Sequence, residues 1–360
     1  MPTRRRRPFL ASLALTGLAA CSSGGSSEPP PPSPVERTFA LGFASTPPVL
    51  TTQSVLQGID LWSPRAEYVV VHEELPWTDL LAGMTPEAIL QRDKVDLIDY
   101  LRQRGLGLYF LLDLTDGLSR AEEAPQLRTL GRSLAEPAVQ AVARAYALAV
   151  VAMLQPEFLG CAAETNLIRR GAPPTLYQAV VTTANAIAQD VLALPARPTL
   201  YYSVQVETAW GLFTSEPYLG IAQDVADFPF AEQLGLSSYP YFVYATPGDI
   251  PDDYYSRIVA EAGLPAFVAE GGWASSSVGL GASSEALQAD YLVRQVELLD
   301  GIHATAWLHL LFADPDLTQW PQPQPPNLAN FTTTGLCRSD FTAKPALAVW
   351  DEAFARPLVR

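Results

Sequence analysis

The sequence predicts a single (β/α)8 barrel, also called a TIM barrel, of the α/β class. Short apolar runs rich in Val, Leu, Phe and Tyr alternate with longer, alanine-rich segments of helical spacing, and eight such runs occur. The runs are continuously apolar, which is typical of parallel strands that are covered on both faces. Eight strands without a glycine-rich phosphate loop favour a closed barrel over an open doubly wound sheet.

The eight runs define the strands in chain order. They are residues 37–45, 67–73, 106–115, 157–164, 198–207, 233–240, 265–272 and 304–312. The clearest helices lie between them, at residues 86–105, 135–154, 175–194 and 283–301. The last helix starts with serine and ends with glycine, as helix caps prefer. The weakest βα unit covers residues 207–230, and the sequence shows neither a repeat nor a second domain.

The N-terminal residues have the pattern of an export signal. Residues 1–20 combine four arginines, a short apolar run and small residues, as signal peptides do, and the run is too short to span a bilayer. The sequence LAAC, which ends at Cys21, resembles the lipobox of bacterial lipoproteins. That resemblance implies cleavage before Cys21 and a lipid on its thiol. An ordinary signal peptide, with Cys21 incidental, is the alternative.

The residues after Cys21 favour the lipoprotein interpretation. Residues 21–36 are rich first in Gly and Ser and then in Pro, which makes a tether that is flexible and then stiff. We therefore expect a signal peptide at 1–20, the lipidated Cys21 and its linker at 21–36, and one barrel domain at 37–360. The protein would be exported and lipid-anchored to the bacterial cell envelope, on its periplasmic or surface face.

Composition and charge exclude several classes of protein. Hydrophobic residues make up 48% of the chain and charged residues 17%, so the chain is not intrinsically disordered. The formal net charge of −15 becomes −19 when the four arginines of the leader are removed, and such an acidic surface repels nucleic acid. Cys161 and Cys337 have no cysteine or histidine neighbours at the spacing of zinc ligands. They could form a disulfide with each other or remain as buried free thiols. We expect a monomer without a cofactor.

Polar and aromatic residues collect at the carboxyl ends of the predicted strands, where barrels of this kind carry their sites. Seven of the eight ends carry acids, amides, histidines or large aromatics. The residues at these ends are His72, Glu73, Glu74, Asp113, Asp116, Glu164, Asn166, Glu207, Trp210, Tyr239, Tyr241, Glu270, Trp273, Trp307 and His309. A strand end is often polar only because the chain leaves the core there. That explanation does not account for polar or aromatic residues at seven of the eight ends.

Two of these residues indicate a reaction. Glu164 follows the fourth apolar run and Glu270 the seventh, and these strands lie across a barrel from each other. Two carboxyl groups that flank a glycosidic bond can cleave it, since one protonates the leaving oxygen while the other attacks or activates water. A separation of about 5 Å permits the covalent, retaining route, and about 6.5–9.5 Å leaves room for a water molecule.

The same residues carry a family resemblance. The chain resembles the clan A glycoside hydrolases, and the segments LGLSSYPYF (234–242) and VAEGGW (268–273) are most similar to family 53, the endo-β-1,4-galactanases. The resemblance implies that Glu164 is the acid/base and Glu270 the nucleophile. It also implies that Tyr239 hydrogen-bonds the nucleophile and that Trp307 forms the floor of the −1 sugar subsite.

One position departs from the clan pattern. The clan usually has Asn directly before the acid/base, where it holds the sugar 2-hydroxyl, and this chain has Ala163 there. Asn166 lies two residues after Glu164 and would share its face in an extended strand. Asn166 is therefore the expected substitute.

The remaining site residues follow from sugar chemistry. Sugar C–H faces pack on aromatic rings, and hydroxyl groups need hydrogen-bonding partners. The expected substrate-binding residues are His72, Asp113, Asn166, Trp210, Tyr239, Trp273 and Trp307. We expect no metal, although His72 and His309 with Glu73 or Asp113 would be the ligands of a weaker, metal-assisted alternative.

The sequence thus predicts a lipid-anchored glycosidase, a hydrolase that cleaves a β-linked oligo- or polysaccharide with Glu164 and Glu270, with retention of configuration. The alternative is a non-catalytic surface lipoprotein that binds glycan on a glycosidase-like barrel. Ala163 motivates this alternative.

Overall fold

The computed structural model describes residues 35–214, 216–277 and 282–359. The predicted signal peptide, Cys21 and nearly all of the linker lie outside the described residues. The lipid anchor therefore stays a prediction from the sequence.

Eight parallel strands pair in chain order and close into one barrel, so the predicted fold class is confirmed. The strands are β1 (Ala40–Ala44), β2 (Tyr68–Glu74), β3 (Gly107–Asp113), β4 (Phe158–Gly160), β5 (Thr199–Gln205), β6 (Gln233–Ser238), β7 (Ala266–Gly271) and β8 (Ala306–His309). Closure comes from β8 beside β1, where Leu41 pairs with Trp307. All carboxyl ends therefore open on the same side of the barrel.

Helices surround the strands. The α-helices are α1 (Thr52–Trp62), α2 (Trp77–Leu81), α3 (Pro86–Asp93), α4 (Val95–Arg102), α5 (Pro125–Leu130), α6 (Pro137–Leu154), α7 (Thr165–Gly171), α8 (Pro174–Leu192), α9 (Val206–Ala209), α10 (Ala222–Asp227), α11 (Ser256–Ala262), α12 (Glu285–Gly301) and α13 (Pro345–Ala355). Short 3-10 turns are Ser63–Arg65, Pro240–Phe242, Pro247–Asp249, Leu317–Gln319 and Pro326–Asn330. By length and composition α6 alone among the described helices could cross a membrane, but here it packs against α8 and α3.

The element boundaries differ from the prediction where a turn interrupts the pattern. The predicted helix 86–105 is two helices, because Lys94 leaves helical geometry at φ −128°. The predicted strand 157–164 is shorter in the structure, where β4 covers Phe158–Gly160 and backbone hydrogen bonds to β5 continue as far as Ala162. The predicted serine cap is present, since the Ser284 hydroxyl accepts from Leu287 N at 3.2 Å at the start of α12. Such a cap contributes about 1 kcal/mol.

Apolar side chains form two layers, one inside the barrel and one between the strands and the surrounding helices. Inside the barrel, Tyr109 stacks on Phe158 with ring centroids 4.0 Å apart and contacts Tyr201 and Phe267. Outside it, the alternate strand residues pack against the helices. The inner layer fills the barrel below its carboxyl ends, so a ligand that enters the barrel mouth lies above that layer.

Candidate active site

The carboxyl groups of Glu164 and Glu270 converge on one serine hydroxyl. Ser237 Oγ lies 2.6 Å from Glu164 Oε1 and 2.9 Å from Glu270 Oε1. These two carboxyl oxygens are therefore no more than about 5.5 Å apart, within the range of paired glycosidase carboxyls that permits covalent catalysis. The side chains of Glu164 and Glu270 are 10% and 12% exposed, and this burial removes most of the water that would screen their charges.

A turn directly after β4 positions Glu164. Backbone hydrogen bonds to β5 continue to Ala162, and Glu164 then adopts the left-handed conformation at φ 45° and ψ 48° as the N-cap of α7. Its backbone N–H donates to Ser203 Oγ at 2.9 Å. A non-glycine residue in this conformation costs about 1–3 kcal/mol, and such strain is concentrated at functional sites.

Close backbone packing after β7 positions Glu270. A register shift between Leu236 and Ser237 brings Ser237 opposite Glu270. The next residue, Gly271, has φ 154°, and a Cβ atom there would lie 2.3 Å from the Ser238 carbonyl oxygen. Only glycine fits that contact, so Gly271 lets the end of β7 lie against β6.

Two basic side chains, His72 and Arg120, link Asp113 to the two glutamates. His72 Nδ1 lies 3.2 Å from Glu270 Oε2, and His72 Nε2 lies 2.9 Å from Asp113 Oδ2. Arg120, from the loop after β3, donates from Nε to Glu164 Oε2 at 2.7 Å and from its terminal nitrogen to Asp113. Asp113 thus holds both cations, and each cation holds one of the two glutamates.

Burial and these contacts move the pKa values of the two glutamates in opposite directions. Burial raises the pKa of Glu164, and the charge of Glu270 adds to this, against the opposing effect of Arg120. Burial also acts to raise the pKa of Glu270, but the hydrogen bond and charge of His72 outweigh it and hold the pKa below its usual value. Burial lowers the pKa of His72, yet hydrogen bonds to Asp113 and Glu270 bring it to about 10. The two pKa values are thus moved apart, so Glu164 keeps its proton to a higher pH than Glu270 does.

The Ser237 bridge agrees with that assignment. A serine hydroxyl has one proton and can donate it to only one of the two carboxyl groups at a time. The other group must then supply the proton for its own hydrogen bond to Ser237 Oγ. The pKa directions make Glu164 the donor to Ser237, and Ser237 the donor to Glu270.

A cavity of about 500 Å³ opens above these groups, a size typical of ligand sites. Five of the expected site residues line it. They are His72, Asp113, Glu164, Tyr239 and Glu270. The Tyr239 ring packs on Phe331 at 4.9 Å. Among the described residues, the hydrogen bonds to Glu270 come from His72 and Ser237 rather than from Tyr239.

Asn166 does not face the cavity. The expectation of an extended strand there is wrong, because α7 begins at Thr165. Asn166 Nδ2 donates to the Gln205 carbonyl at 2.8 Å, and Asn166 Oδ1 accepts from Gln205 N at 2.8 Å. Both ends of the amide thus hold the end of β5. Ala163 is buried among the residues inside the barrel.

The three expected tryptophans lie outside the cavity lining. Trp307 is buried against Trp350 at 4.7 Å, on the helix-facing side of β8, while Leu308 points into the barrel. Trp210 donates from Nε1 to the Tyr254 carbonyl at 2.9 Å. Trp273 donates from Nε1 to Ser283 Oγ at 2.9 Å. These residues stabilise packing and loops, and Trp307 does not form a subsite floor.

His72 and His309 do not lie together, and the two cysteines are not paired. His309 lies on the same outer face of β8 as Trp307, and its Nε2 contacts the Thr334 carbonyl at 2.9 Å. His72 and His309 therefore do not converge as the metal-assisted alternative requires. Cys161 and Cys337 are buried free thiols.

Sequence reasoning missed two central residues, Arg120 and Ser237. Ser237 was visible as the last strand residue but one of β6, two positions before Tyr239, where alternation puts both side chains on one face. Arg120 lies in a loop whose path depends on local contacts, including Asp116 Oδ1 accepting from Leu118 N at 2.9 Å. The short-range pattern gives no comparable signal for Arg120.

Comparison with known proteins gives structural matches only. No protein-family model and no curated protein matches the chain. An exo-β-1,4-mannosidase from Opitutaceae bacterium strain TAV5 matches with TM-score 0.65 and 16% identity, over 89% of this chain and 59% of that one. A GH5_18 structure from Streptomyces cattleya in complex with GlcNAc matches with TM-score 0.65 and 18% identity, over 90% and 83%.

A third match is a β-glucuronidase from Bacteroides uniformis, covalently bound to cyclophellitol-6-carboxylate aziridine. Its TM-score is 0.58 and its identity 12%, over 89% of this chain and 35% of that one. The chain thus spans about three fifths of the mannosidase and about a third of the glucuronidase. At these identities the likeness establishes the fold: this chain has the (β/α)8 barrel that these glycoside hydrolases also have.

Proposed function

We propose that the protein is a retaining glycoside hydrolase. The observation that carries the proposal is the pair of buried carboxyls, Glu164 and Glu270, within hydrogen-bonding distance of one hydroxyl and with pKa values moved apart. Glu270, ionised beside His72, attacks the anomeric carbon, while Glu164 gives its proton to the departing oxygen. Glu164 then removes a proton from water, which hydrolyses the glycosyl-enzyme.

The charge balance of the cavity favours a neutral sugar. Among the described residues that line it, the cations are His72 and Arg120, and both are paired with carboxylates. A uronic acid would place a further negative charge there without an unpaired cation to receive it. We therefore assign a neutral β-glycoside as the substrate class.

The identity of the sugar and the cellular location of the protein are also proposals. The motifs at 234–242 and 268–273 resemble family 53 galactanases, whereas the structural matches include a mannosidase, so the sugar that Glu270 attacks is a galactoside or a mannoside. The residues around Cys21 support export and lipid anchoring to the cell envelope. Both fit an enzyme that processes carbohydrate outside the cytoplasm.

The first test is hydrolysis of p-nitrophenyl β-glycosides with gluco, galacto, manno and glucurono configurations. We expect cleavage of at least one neutral glycoside and none of the glucuronide, with the β-hemiacetal as the first product by ¹H NMR. An initial α-product would mean inversion. Binding of glycosides without any hydrolysis would favour the non-catalytic alternative, which the Arg120 contact to Glu164 and the small Ala163 side chain make worth testing.

The pH profile of kcat/KM tests the Ser237 bridge. Wild-type activity requires ionised Glu270 and protonated Glu164, so the acidic limb should lie below the usual glutamate pKa and the basic limb above it. Ser237→Ala removes a donor that stabilises the Glu270 carboxylate, and the acidic limb should move up by about one pH unit.

Ser238→Ala is the matched control for Ser237→Ala. The Ser238 hydroxyl contacts Glu207 and Tyr255 instead of the catalytic pair. Its acidic limb should remain at the wild-type pH. An unmoved limb in Ser237→Ala, or an equal shift in both variants, would contradict the bridge.

A further inference from the structure

We propose that the leaving group of the substrate is an apolar alkyl or aryl group rather than a second sugar. This inference rests on the proposed function, because it uses the position of the acid/base to decide which side of the cavity receives the leaving group. It names the substrate class more narrowly than the reaction does.

The proton donor locates the leaving-group side. Glu164 must reach the glycosidic oxygen, so the group that departs lies beside Glu164 and Arg120. Leu118, two residues before Arg120, and Leu167, in the first turn of the helix after Glu164, both line the cavity and are half-buried. Neither side chain can donate or accept a hydrogen bond.

Three phenylalanines form a further apolar wall of the same cavity. Phe213 and Phe242 have ring centroids 6.4 Å apart, and Phe242 and Phe331 have centroids 5.8 Å apart. All three line the cavity, and Phe213 remains 50% exposed. A phenylalanine ring can cover a sugar C–H face, but it offers no polar group for the hydroxyls at the ring edge.

Five polar side chains of the cavity, His72, Asp113, Arg120, Glu164 and Glu270, form one connected set of hydrogen bonds and ion pairs. Thr46, Glu74, Gln205 and Thr332 also line the cavity. The connected set can hold the hydroxyls of one sugar ring. A second sugar packed on the leucine and phenylalanine side chains would gain no hydrogen bond from them, whereas an alkyl or aryl group would gain from burial there.

Binding to the full-length Glu270→Gln chain tests this without turnover. Calorimetric titrations compare octyl β-D-glucoside, galactoside and mannoside, below their micellar concentrations, with cellobiose, lactose and β-1,4-mannobiose. We expect at least one octyl glycoside to bind about tenfold more tightly than the disaccharide with the same terminal sugar. Equal or tighter binding of the disaccharide in every pair, or no binding of any octyl glycoside, would overturn the inference.

Substitutions in the apolar lining test whether these residues cause the preference for octyl glycosides over disaccharides. Phe331→Ser should weaken octyl glycoside binding about tenfold and leave disaccharide binding unchanged. Leu118→Asn, in a different loop, should act in the same direction and serves if Phe331→Ser fails to fold. Leu192→Ser replaces a leucine with 43% exposure at the end of α8, outside the cavity lining, and should bind like the parent chain. An unchanged octyl preference in both wall variants would contradict the assignment.

Hydrolysis by the wild-type chain separates the two proposals. If octyl glycosides bind preferentially but neither they nor the p-nitrophenyl glycosides are cleaved, the hydrolase is refuted and the apolar site still stands. Cleavage of disaccharides at higher kcat/KM than every octyl glycoside would support the hydrolase and refute the apolar leaving group.

Discussion

Glu270→Gln is expected to lower kcat/KM on any accepted glycoside by about 10⁴-fold or more. The amide cannot attack the anomeric carbon as the carboxylate does, so the covalent route is lost. A 10⁴-fold loss corresponds to about 5.5 kcal/mol of transition-state stabilisation. The amide keeps nearly the same shape and still has atoms that can contact Ser237 and His72, so the fold should persist. Steady-state hydrolysis and thermal unfolding of the two proteins measure both effects.

Glu73→Gln is the matched control for that substitution. Glu73 also lies near the end of a strand, on β2, but its carboxylate pairs with Lys94 at 2.7 Å and contacts the Tyr146 hydroxyl. We expect its activity to stay within about threefold of wild type, because Glu73 does not line the cavity that holds Glu164 and Glu270. Substantial hydrolysis by Glu270→Gln, or an equal loss in Glu73→Gln, would remove Glu270 from the nucleophile role.

The barrel and its pair of glutamates could be predicted because both depend on order along the chain. Repeated apolar runs separated by helical segments give parallel strands, and parallel strands place all their carboxyl ends together. Glu164 and Glu270 follow the fourth and seventh runs, and the structure brings them to one hydroxyl. Neither inference needed the path of a loop.

The face of each strand residue was harder to predict. Parallel strands covered on both sides are apolar throughout, so the sequence does not mark which residues point inwards. The family resemblance implied that Trp307 lies in the sugar site, and the apolar pattern could not contradict it, although Ala306 and Leu308 occupy the inner face of β8. The alternation could be read only once an inward residue was known.

Residues beyond the strand ends depend on how the chain turns. The left-handed backbone of Glu164 ends the extended segment at once, so Asn166 belongs to a helix and holds β5. Arg120 reaches Glu164 from another loop, 44 residues earlier in the sequence. Such contacts combine segments distant in sequence, and a periodic pattern contains no information about them.

Glu164→Ala is expected to affect substrates according to how much their leaving group needs a proton. Hydrolysis of alkyl β-glycosides should fall by about 10³-fold, within the usual contribution of general acid catalysis. With 2,4-dinitrophenyl β-glycosides the phenolate leaves unprotonated, so the first step should be much less affected. The second step still lacks its base. A burst of one dinitrophenol per enzyme, followed by slow turnover, should therefore appear in rapid-mixing measurements.

Glu164→Gln separates the chemical role of Glu164 from its structural role. The amide can still accept from Arg120 Nε, whereas Ala leaves that guanidinium paired with Asp113 alone. If the missing proton causes the loss, Gln and Ala should show the same dependence on leaving group, even where their unfolding temperatures differ. Equal losses for alkyl and dinitrophenyl glycosides would instead mean that Glu164 only holds Arg120 in place, because a positioning effect does not depend on the acidity of the departing alcohol.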